Sequence, residues 1–280
     1  MAQRAVGLFR LVHPFPSLLN SGLVAAIVLV AGGSGAQAVV LGLSMLGLQF
    51  CIGAVNDVFD QALDAESKPA KPIPAGLVSP HVAKAVAMAA GGIGVALAIG
   101  ARLDIAVPLM ALWMLGAGLV YDAWLKPTRF GWMCFAAAFP VLPVFAWYGA
   151  TGMMPPRWEV LLPVAALAGP ALQLANGLVD LETDAAAGLR TLPVLLGRRT
   201  TLVAMASLMA VIHALAWLTL PAASEALPRL VTGAATVIAA IGVALSFRAS
   251  RQMRDLGWSV QAASIAVLGA GWLLSLSLPR

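Results

Sequence analysis

The sequence predicts an all-α membrane protein, a polytopic bundle of about nine transmembrane helices around a central cavity. Of its 280 residues, 61% are hydrophobic and only 10% are charged, whereas a soluble domain carries roughly 25% charged residues. Apolar runs recur along the whole chain, at about the 17–25 residues that a helix needs to cross a bilayer. The two cysteines, Cys51 and Cys134, fall in such runs, so we expect buried thiols, with no disulfide framework or zinc site.

Nine apolar runs divide the chain in order. The predicted spans are residues 17–34, 36–55, 82–100, 104–121, 131–150, 160–179, 201–220, 228–247 and 258–278. The longest polar interruption, residues 56–81, contains Pro69, Pro72 and Pro74, which prevent a helix from continuing. No cleavage site follows a short apolar core at the N-terminus, so no signal peptide is expected. No linker or soluble segment separates the spans, which predicts one domain over residues 1–280.

The basic residues indicate which side of the membrane each polar joint occupies. With nine spans, thirteen of the 17 Lys and Arg residues fall on one side. Twelve lie in the N-terminal segment and in the joints at residues 56–81, 122–130, 185–200 and 248–257, and Lys84 lies at the start of the third span. Because cytoplasmic loops are enriched in Lys and Arg, we predict that this side and the N-terminus are cytoplasmic and that the C-terminus is outside. The net charge of +5 then reflects topology and does not indicate nucleic-acid binding.

Two acidic segments on the cytoplasmic side carry the functional prediction. In both, Asn, Asp and Asp follow one another at four-residue steps, and the two sets lie 120 positions apart. The sets are Asn56, Asp60 and Asp64, and Asn176, Asp180 and Asp184. On a helix, residues at this spacing share one face, so each segment is predicted to present a stripe of oxygen ligands. Carboxylates beside a membrane core are costly unless a cation neutralises them, so two stripes facing one cavity indicate divalent metal holding a polyanion.

The alternative for one such stripe is an exposed helix end with solvated acids. Six of the 12 acidic residues lie in these two segments, which favours the metal hypothesis for the pair. Mg²⁺ prefers hard oxygen ligands and takes one or two carboxylates plus phosphate oxygens of its substrate. Asp57 and Glu182 are turned off the stripe by about 100° to 200° and are weaker ligand candidates. His13, His81 and His213 are scattered and lack the spacing of a metal site.

Together with the sequence that follows them, the two segments resemble the signatures of a known family. Residues 56–64, with the sequence KPIPAG at 71–76, are similar to the first signature of the UbiA superfamily of intramembrane prenyltransferases. Residues 180–184, with GLRTLP at 188–193, resemble its second signature. A weaker match is YDAWLK at 121–126, which is similar to the element that closes the family's fourth helix. The resemblance covers essentially the whole chain.

The resemblance implies a bundle of about nine helices whose cavity opens laterally to lipid and is capped by cytoplasmic loops. It also implies an enzyme that uses Mg²⁺ to bind an isoprenyl diphosphate and transfers the prenyl chain to a small hydrophobic or aromatic acceptor. Metal and basic residues would draw charge onto the leaving diphosphate, and a dry cavity would protect the allylic cation. The alternative activity is that of an intramembrane terpene cyclase from the same superfamily, which needs no acceptor. A transporter is disfavoured because the carboxylates lie at cytoplasmic helix ends and not at the bilayer midplane.

By position, the resemblance assigns roles to residues of this chain. The implied Mg²⁺ ligands are Asn56, Asp60, Asp64, Asp180 and Asp184. The four aspartates, together with Tyr121, are the implied catalytic residues. The implied substrate contacts are Asn176, Arg10, Lys68, Lys71, Lys126 and Arg190. Basic residues beside a membrane are also expected from topology alone, and Tyr121 is equally well explained as an interfacial aromatic.

The chain also departs from the family pattern in two places. Many members carry arginine where Lys71 stands, and lysine lacks the bidentate fork of arginine. The loop after Asp64 lacks the extra arginine and threonine of members that act on 4-hydroxybenzoate, which argues against that acceptor.

Overall fold

The chain folds into α-helices joined by short loops. The computed structural model describes residues 2–102, 104–221 and 226–277. The helices are α1 (Ala2–Leu11), α2 (Pro14–Val30), α3 (Gly35–Phe59), α4 (Gln61–Ser67), α5 (Pro80–Ala101), α6 (Ala106–Val120), α7 (Trp132–Ala138), α8 (Val141–Thr151), α9 (Trp158–Val179), α10 (Leu181–Ala186), α11 (Leu192–Thr219), α12 (Ala226–Ser246) and α13 (Arg251–Ser277). A π-helical turn, Tyr121–Leu125, continues α6.

The membrane spans agree with the prediction. Among the described residues, eight helical segments are long and apolar enough to cross a membrane, and α1 with α2, bent by 55°, make a ninth if counted as one span. This confirms the all-α, multi-pass fold. α2 begins at Pro14, earlier than predicted, because proline is well tolerated in the first turn of a helix. Residue 278, where the ninth predicted span ends, and Arg280 lie outside the described residues.

Two joints that were predicted as polar connections are largely helical. α11 begins at Leu192, inside the predicted joint of residues 185–200, and Gly197 interrupts it with a φ of 73°. α13 begins at Arg251, inside the predicted joint of residues 248–257. In both places the helix begins before its apolar run does. The polar composition therefore marks the boundary of the apolar segment and not the boundary of the helix.

The helices form a ring that α13 closes, because α13 packs against both α9 and α2. Small residues allow close approach at the contact between α3 and α5, as is common between membrane helices. A Cβ atom on Gly47 would lie 2.7 Å from the carbonyl oxygen of Ala90. Ser44 Oγ donates to the carbonyl oxygen of Gly94 at 2.7 Å in the same contact.

The two cysteines, Cys51 and Cys134, are buried and free, as predicted.

Each acidic segment lies at a bend between a long helix and a short one. Asp60 lies between α3 and α4, and Asp180 lies between α9 and α10. The prediction of a stripe along one continuous helix is therefore wrong at these two positions. Hydrogen bonds from the Asp64 amide to Asp60 O and from the Asp184 amide to Asp180 O, both 2.8 Å, nevertheless maintain the four-residue spacing. The chain thus repeats the same helix–bend–helix feature after 120 residues.

Candidate active site

A cavity of about 750 Å³ runs along the inside of the ring. Its polar end is formed by the two bends, the π-helical turn and the first residues of α2 and α13. The polar lining includes His13, Asn56, Asp60, Lys68, Lys71, Tyr121, Asp122, Lys126, Asn176, Asp180, Arg251 and Asp255. Apolar side chains then line the cavity along α13 as far as Leu273. At 1.5 Å per helical residue, the cavity extends about 30 Å along that helix.

Lysine side chains hold the carboxylates of the first acidic segment. Lys126 Nζ pairs with Asp60 Oδ2. Lys71 Nζ lies 2.7 Å from Asp64 Oδ2 and 2.8 Å from Asp57 Oδ1, and both of these aspartates are buried. Burial alone would lower the pKa of Lys71, but the carboxylates of Asp57 and Asp64 outweigh it and raise this pKa. Lys71 therefore stays charged and forms an ion pair with both acids.

The second acidic segment is held by residues from two distant parts of the chain. Asp180 Oδ2 accepts a hydrogen bond from Lys68 Nζ at 2.8 Å, and Oδ1 accepts one from the Arg251 guanidinium at 2.6 Å. Burial would raise the pKa of Asp180, but Lys68 and Arg251 hold it below its usual value. Burial and the nearby Asp180 raise the pKa of Asp184 to about 6. Asp184 therefore takes up a proton at a higher pH than an ordinary aspartate does.

Asn56, Asn176 and Tyr121 also line the cavity. Asn56 Nδ2 donates to Asp122 Oδ1 at 2.8 Å, which leaves the amide oxygen of Asn56 for another partner. Asp122 is buried, and its Oδ2 has no hydrogen-bond partner among the described residues. The Tyr121 ring packs edge-on against Phe135, with 5.0 Å between the ring centroids. An aromatic ring at this position can stabilise a nearby cation.

Four predicted site residues do not line the cavity. Arg10 and Arg190 are exposed, and the backbone amide of Arg190 donates to the carbonyl oxygen of Pro127 at 3.1 Å. Asp64 and Asp184 lie four residues beyond the bends, on α4 and α10. Asp64 forms an ion pair with Lys71, which does line the cavity.

Four residues of the cavity wall with acidic or basic side chains, His13, Asp122, Arg251 and Asp255, were not assigned a role from the sequence. Arg251 lies 71 residues from Asp180 and reaches it because α13 closes the ring. His13 Nε2 lies 3.0 Å from Asp57 Oδ1, and 44 residues separate the two. Asp122 belongs to the YDAWLK segment. Its position at the end of an apolar run could have indicated a site residue.

The donor atoms at the polar end have the chemistry that Mg²⁺ requires. The described residues include no group of three or more His, Cys, Asp or Glu arranged to hold a metal ion. The donors are nevertheless carboxylate and amide oxygens, and Mg²⁺ usually takes one or two carboxylates and completes its shell with water and phosphate oxygens. The residues therefore fit Mg²⁺ that is shared with a phosphate-bearing substrate, and they do not form a preformed cage.

The fold and the cavity define a multi-pass integral membrane protein whose internal cavity has a charged end and an apolar length. The model of the UbiA prenyltransferase family matches residues 19–275. The chain therefore belongs to the UbiA family, and it is a prenyltransferase.

Two curated relatives illustrate the similarity. Over 212 residues the chain is 34% identical to digeranylgeranylglyceryl phosphate synthase of Methanoregula boonei, an alignment that covers 71% of this chain and 72% of that protein. Over 155 residues it is 32% identical to the chloroplastic chlorophyll synthase of Arabidopsis thaliana, covering 52% of this chain and 40% of that protein. The chain thus spans less than half of the second relative.

Two solved structures share the fold. A UbiA homologue from Aeropyrum pernix, in its apo form, has a TM-score of 0.74 and 18% identity, covering 91% of this chain and 96% of that one. A UbiA homologue from Archaeoglobus fulgidus bound to DMAPP and Mg²⁺ has a TM-score of 0.71 and 19% identity, covering 97% of this chain and all of that one.

Proposed function

We propose that this prenyltransferase binds an isoprenyl diphosphate together with Mg²⁺ at the polar end of the cavity and transfers the prenyl chain to an acceptor within the membrane. The observation that carries the proposal is that Asp60 and Asp180, the centres of two matching acidic segments, line the same end of one cavity. Beyond the polar end, apolar side chains of α13 line the cavity from Trp258 to Leu273, over about 22 Å, which suits an isoprenyl chain. The Mg²⁺ and DMAPP bound to the Archaeoglobus fulgidus homologue support this assignment.

Mg²⁺ would be held by Asn56, Asp60 and Asp180, which line the cavity, and by Asp64 and Asp184, which lie one helical turn beyond the bends in the same two acidic segments. Bound Mg²⁺ supplies positive charge that stabilises the diphosphate as a leaving group.

The lysines of the site would exchange partners when the substrate binds. Lys68, Lys71 and Lys126 each form an ion pair with a carboxylate of the acidic segments. With the carboxylates holding Mg²⁺, the same lysines would be available to donate to diphosphate oxygens, in hydrogen bonds roughly twice as strong as those between neutral groups. The amide of Asn176, on the same wall, supplies a further polar contact. Arg10 and Arg190 lie outside the cavity and are not part of the proposed site.

Tyr121 and the apolar wall would protect the reacting carbon. As the bond from the prenyl carbon to the diphosphate breaks, positive charge develops on the allylic carbon, and the face of the Tyr121 ring can stabilise it. The apolar side chains of the cavity exclude water, which would otherwise capture the cation. A small hydrophobic or aromatic acceptor can enter the same apolar environment.

We further propose that the polar end of the cavity and the N-terminus face the cytoplasm and that residues 1–280 act as one domain. The excess of Lys and Arg on this side supports that orientation.

The proposal is tested with the purified protein in detergent, geranylgeranyl diphosphate and Mg²⁺, with and without a panel of phenol and alcohol acceptors. Diphosphate release and product mass are followed. Release that requires an acceptor and stops with EDTA supports the transfer reaction. Release without an acceptor, giving a hydrocarbon or terpene alcohol, would indicate a terpene cyclase. If folded protein releases no diphosphate from any isoprenyl diphosphate, the proposal is wrong.

A further inference from the structure

His13 lies at the bend between α1 and α2, in a backbone conformation that is uncommon for a residue with a side chain. Its φ is 48° and its ψ is 68°, in the left-handed region. Non-glycine residues held in this region cluster at functional sites. Pro14 follows directly and begins α2, and the buried Ser17 donates from Oγ to the carbonyl oxygen of Val12 at 2.8 Å. The bend is therefore fixed on both sides of His13.

A glycine on α3 allows the bend to lie close against that helix. A Cβ atom on Gly53 would lie 3.2 Å from the carbonyl oxygen of Val12 and 3.3 Å from the Cβ atom of His13. A larger residue at this position would push the bend away from α3. The close packing keeps the imidazole of His13 in the cavity wall.

A buried carboxylate one turn further along α3 orients the imidazole. His13 Nε2 lies 3.0 Å from Asp57 Oδ1, and the side chain of Asp57 is 1% exposed. The same oxygen accepts a hydrogen bond from Lys71 Nζ at 2.8 Å, which favours the ionised carboxylate. A carboxylate only accepts, so Nε2 carries the donated proton, and in the neutral ring Nδ1 holds the free lone pair.

We infer that His13 is the base that removes the proton from a hydroxyl-bearing acceptor, with Asp57 as the residue that positions it. The inference rests on the proposed function and adds the chemical class of the acceptor, an alcohol or a phenol. Three observations support it. The imidazole of His13 lines the cavity, and the buried carboxylate of Asp57 lies at its Nε2 atom. The same carboxylate binds Lys71, a proposed diphosphate contact. A base oriented by a third group is the arrangement that activates hydroxyl groups in other enzymes.

The chemical step balances without a further reactant. The bond between the prenyl carbon and the diphosphate oxygen breaks, and its electron pair leaves with the diphosphate. The acceptor oxygen forms the new bond to that carbon, and its O–H proton moves to Nδ1 of His13. The imidazolium then releases the proton to water or to the departing diphosphate. A carboxylate acceptor, which has no proton to lose, would not need this base.

His13→Asn and His13→Gly test the inference. Asparagine and glycine both tolerate the left-handed backbone, and neither can accept the proton. The full-length variants are assayed with geranylgeranyl diphosphate, Mg²⁺ and hydroxyl acceptors, each paired with a fluorinated analogue whose hydroxyl is more acidic. His81→Asn is the matched control, because His81 is exposed on α5. Thermal unfolding confirms that each variant is folded.

We expect His13→Asn to lower transfer to the ordinary hydroxyl acceptor by about 10²–10⁴-fold, the usual contribution of a general base. The loss should shrink with the fluorinated acceptor, and added imidazole should restore part of the activity of His13→Gly. His81→Asn should behave as the wild type.

Three results would overturn the role of His13. The first is an equal loss of transfer activity with the ordinary and the fluorinated acceptor, with no response to imidazole. The second is a loss of less than about threefold, against the 10²-fold minimum expected of a general base. The third is a wild type that transfers only to acceptors without a hydroxyl group. In all three the wild type still transfers prenyl chains, so the proposed function stands. A wild type that transfers to no acceptor would instead contradict the proposed function.

Discussion

Lys68 Nζ lies 2.8 Å from Asp180 Oδ2, although 112 residues separate the two along the chain. Lys68 follows the first acidic segment, and Asp180 is the central residue of the second. Their contact joins the two halves of the candidate site across the polar end of the cavity. It also shows that Asp180, the central acid of the second segment, is paired with a basic residue of the same site.

Lys68→Met should weaken substrate binding more than turnover. Methionine keeps the length of the side chain but cannot donate to a diphosphate oxygen, and hydrogen bonds to charged groups contribute about 1.5–3 kcal/mol. We expect KM for geranylgeranyl diphosphate to rise by about tenfold to 100-fold. Lys84→Met, at an exposed position on α5, is the control and should leave KM unchanged. A KM that does not respond to Lys68→Met would mean that Lys68 only balances the charge of Asp180.

Mg²⁺ alone should change the thermal stability of the protein very little. Asp60, Asp64 and Asp180 are paired with lysine or arginine side chains, and the described residues present no three-acid group for a metal. Mg²⁺ together with inorganic diphosphate should raise Tm, because a ligand stabilises the state that binds it. Thermal unfolding with each component separately and with both checks this. If Mg²⁺ alone raised Tm as much as Mg²⁺ with diphosphate does, the metal site would be preformed. That result would contradict a Mg²⁺ site that is completed by the phosphate oxygens of the substrate.

The ring of Tyr121, and not its hydroxyl, should matter for turnover. We expect Tyr121→Phe to stay within about threefold of the wild type, whereas Tyr121→Leu should lower kcat about tenfold or more, since a desolvated cation–π contact is worth about 2 kcal/mol. Tyr148, the second of two tyrosines in the sequence, is the control position, because it packs near Arg102 and away from the polar end. If Tyr121→Phe loses as much activity as Tyr121→Leu, the phenol hydroxyl has the functional role.

Single introduced cysteines should report the orientation in the membrane. Ala187 follows α10 near the polar end of the cavity, and Met154 lies between α8 and α9 at the opposite end, and both positions are exposed. In intact cells, a membrane-impermeant maleimide should label Met154→Cys and not Ala187→Cys, because the positive-inside rule places Ala187 in the cytoplasm. The native thiols are buried. The reverse labelling pattern would refute the proposed orientation.

The sequence was sufficient to predict the spans and both acidic segments, because hydropathy and four-residue spacing are local properties. The bends at Asp60 and Asp180 could not be predicted, since the spacing is the same with or without a bend. The pairing of Arg251 with Asp180 depends on the closure of the ring by α13, which no local pattern encodes. The position of His13 depends on the contact of its bend with Gly53, again a tertiary feature.

The central claim, that both acidic segments form one Mg²⁺-dependent diphosphate site, is tested most directly by equilibrium binding of a non-reactive thiolo analogue of geranylgeranyl diphosphate. Binding is measured with and without Mg²⁺ for the wild type, Asp60→Asn, Asp180→Asn and the control Glu66→Gln, whose exposed side chain lies on α4. We predict Mg²⁺-dependent binding that each aspartate variant weakens by about 100-fold, roughly 3 kcal/mol, and that Glu66→Gln preserves. Wild-type affinity in either aspartate variant, or binding of the analogue that does not depend on Mg²⁺, would contradict the claim.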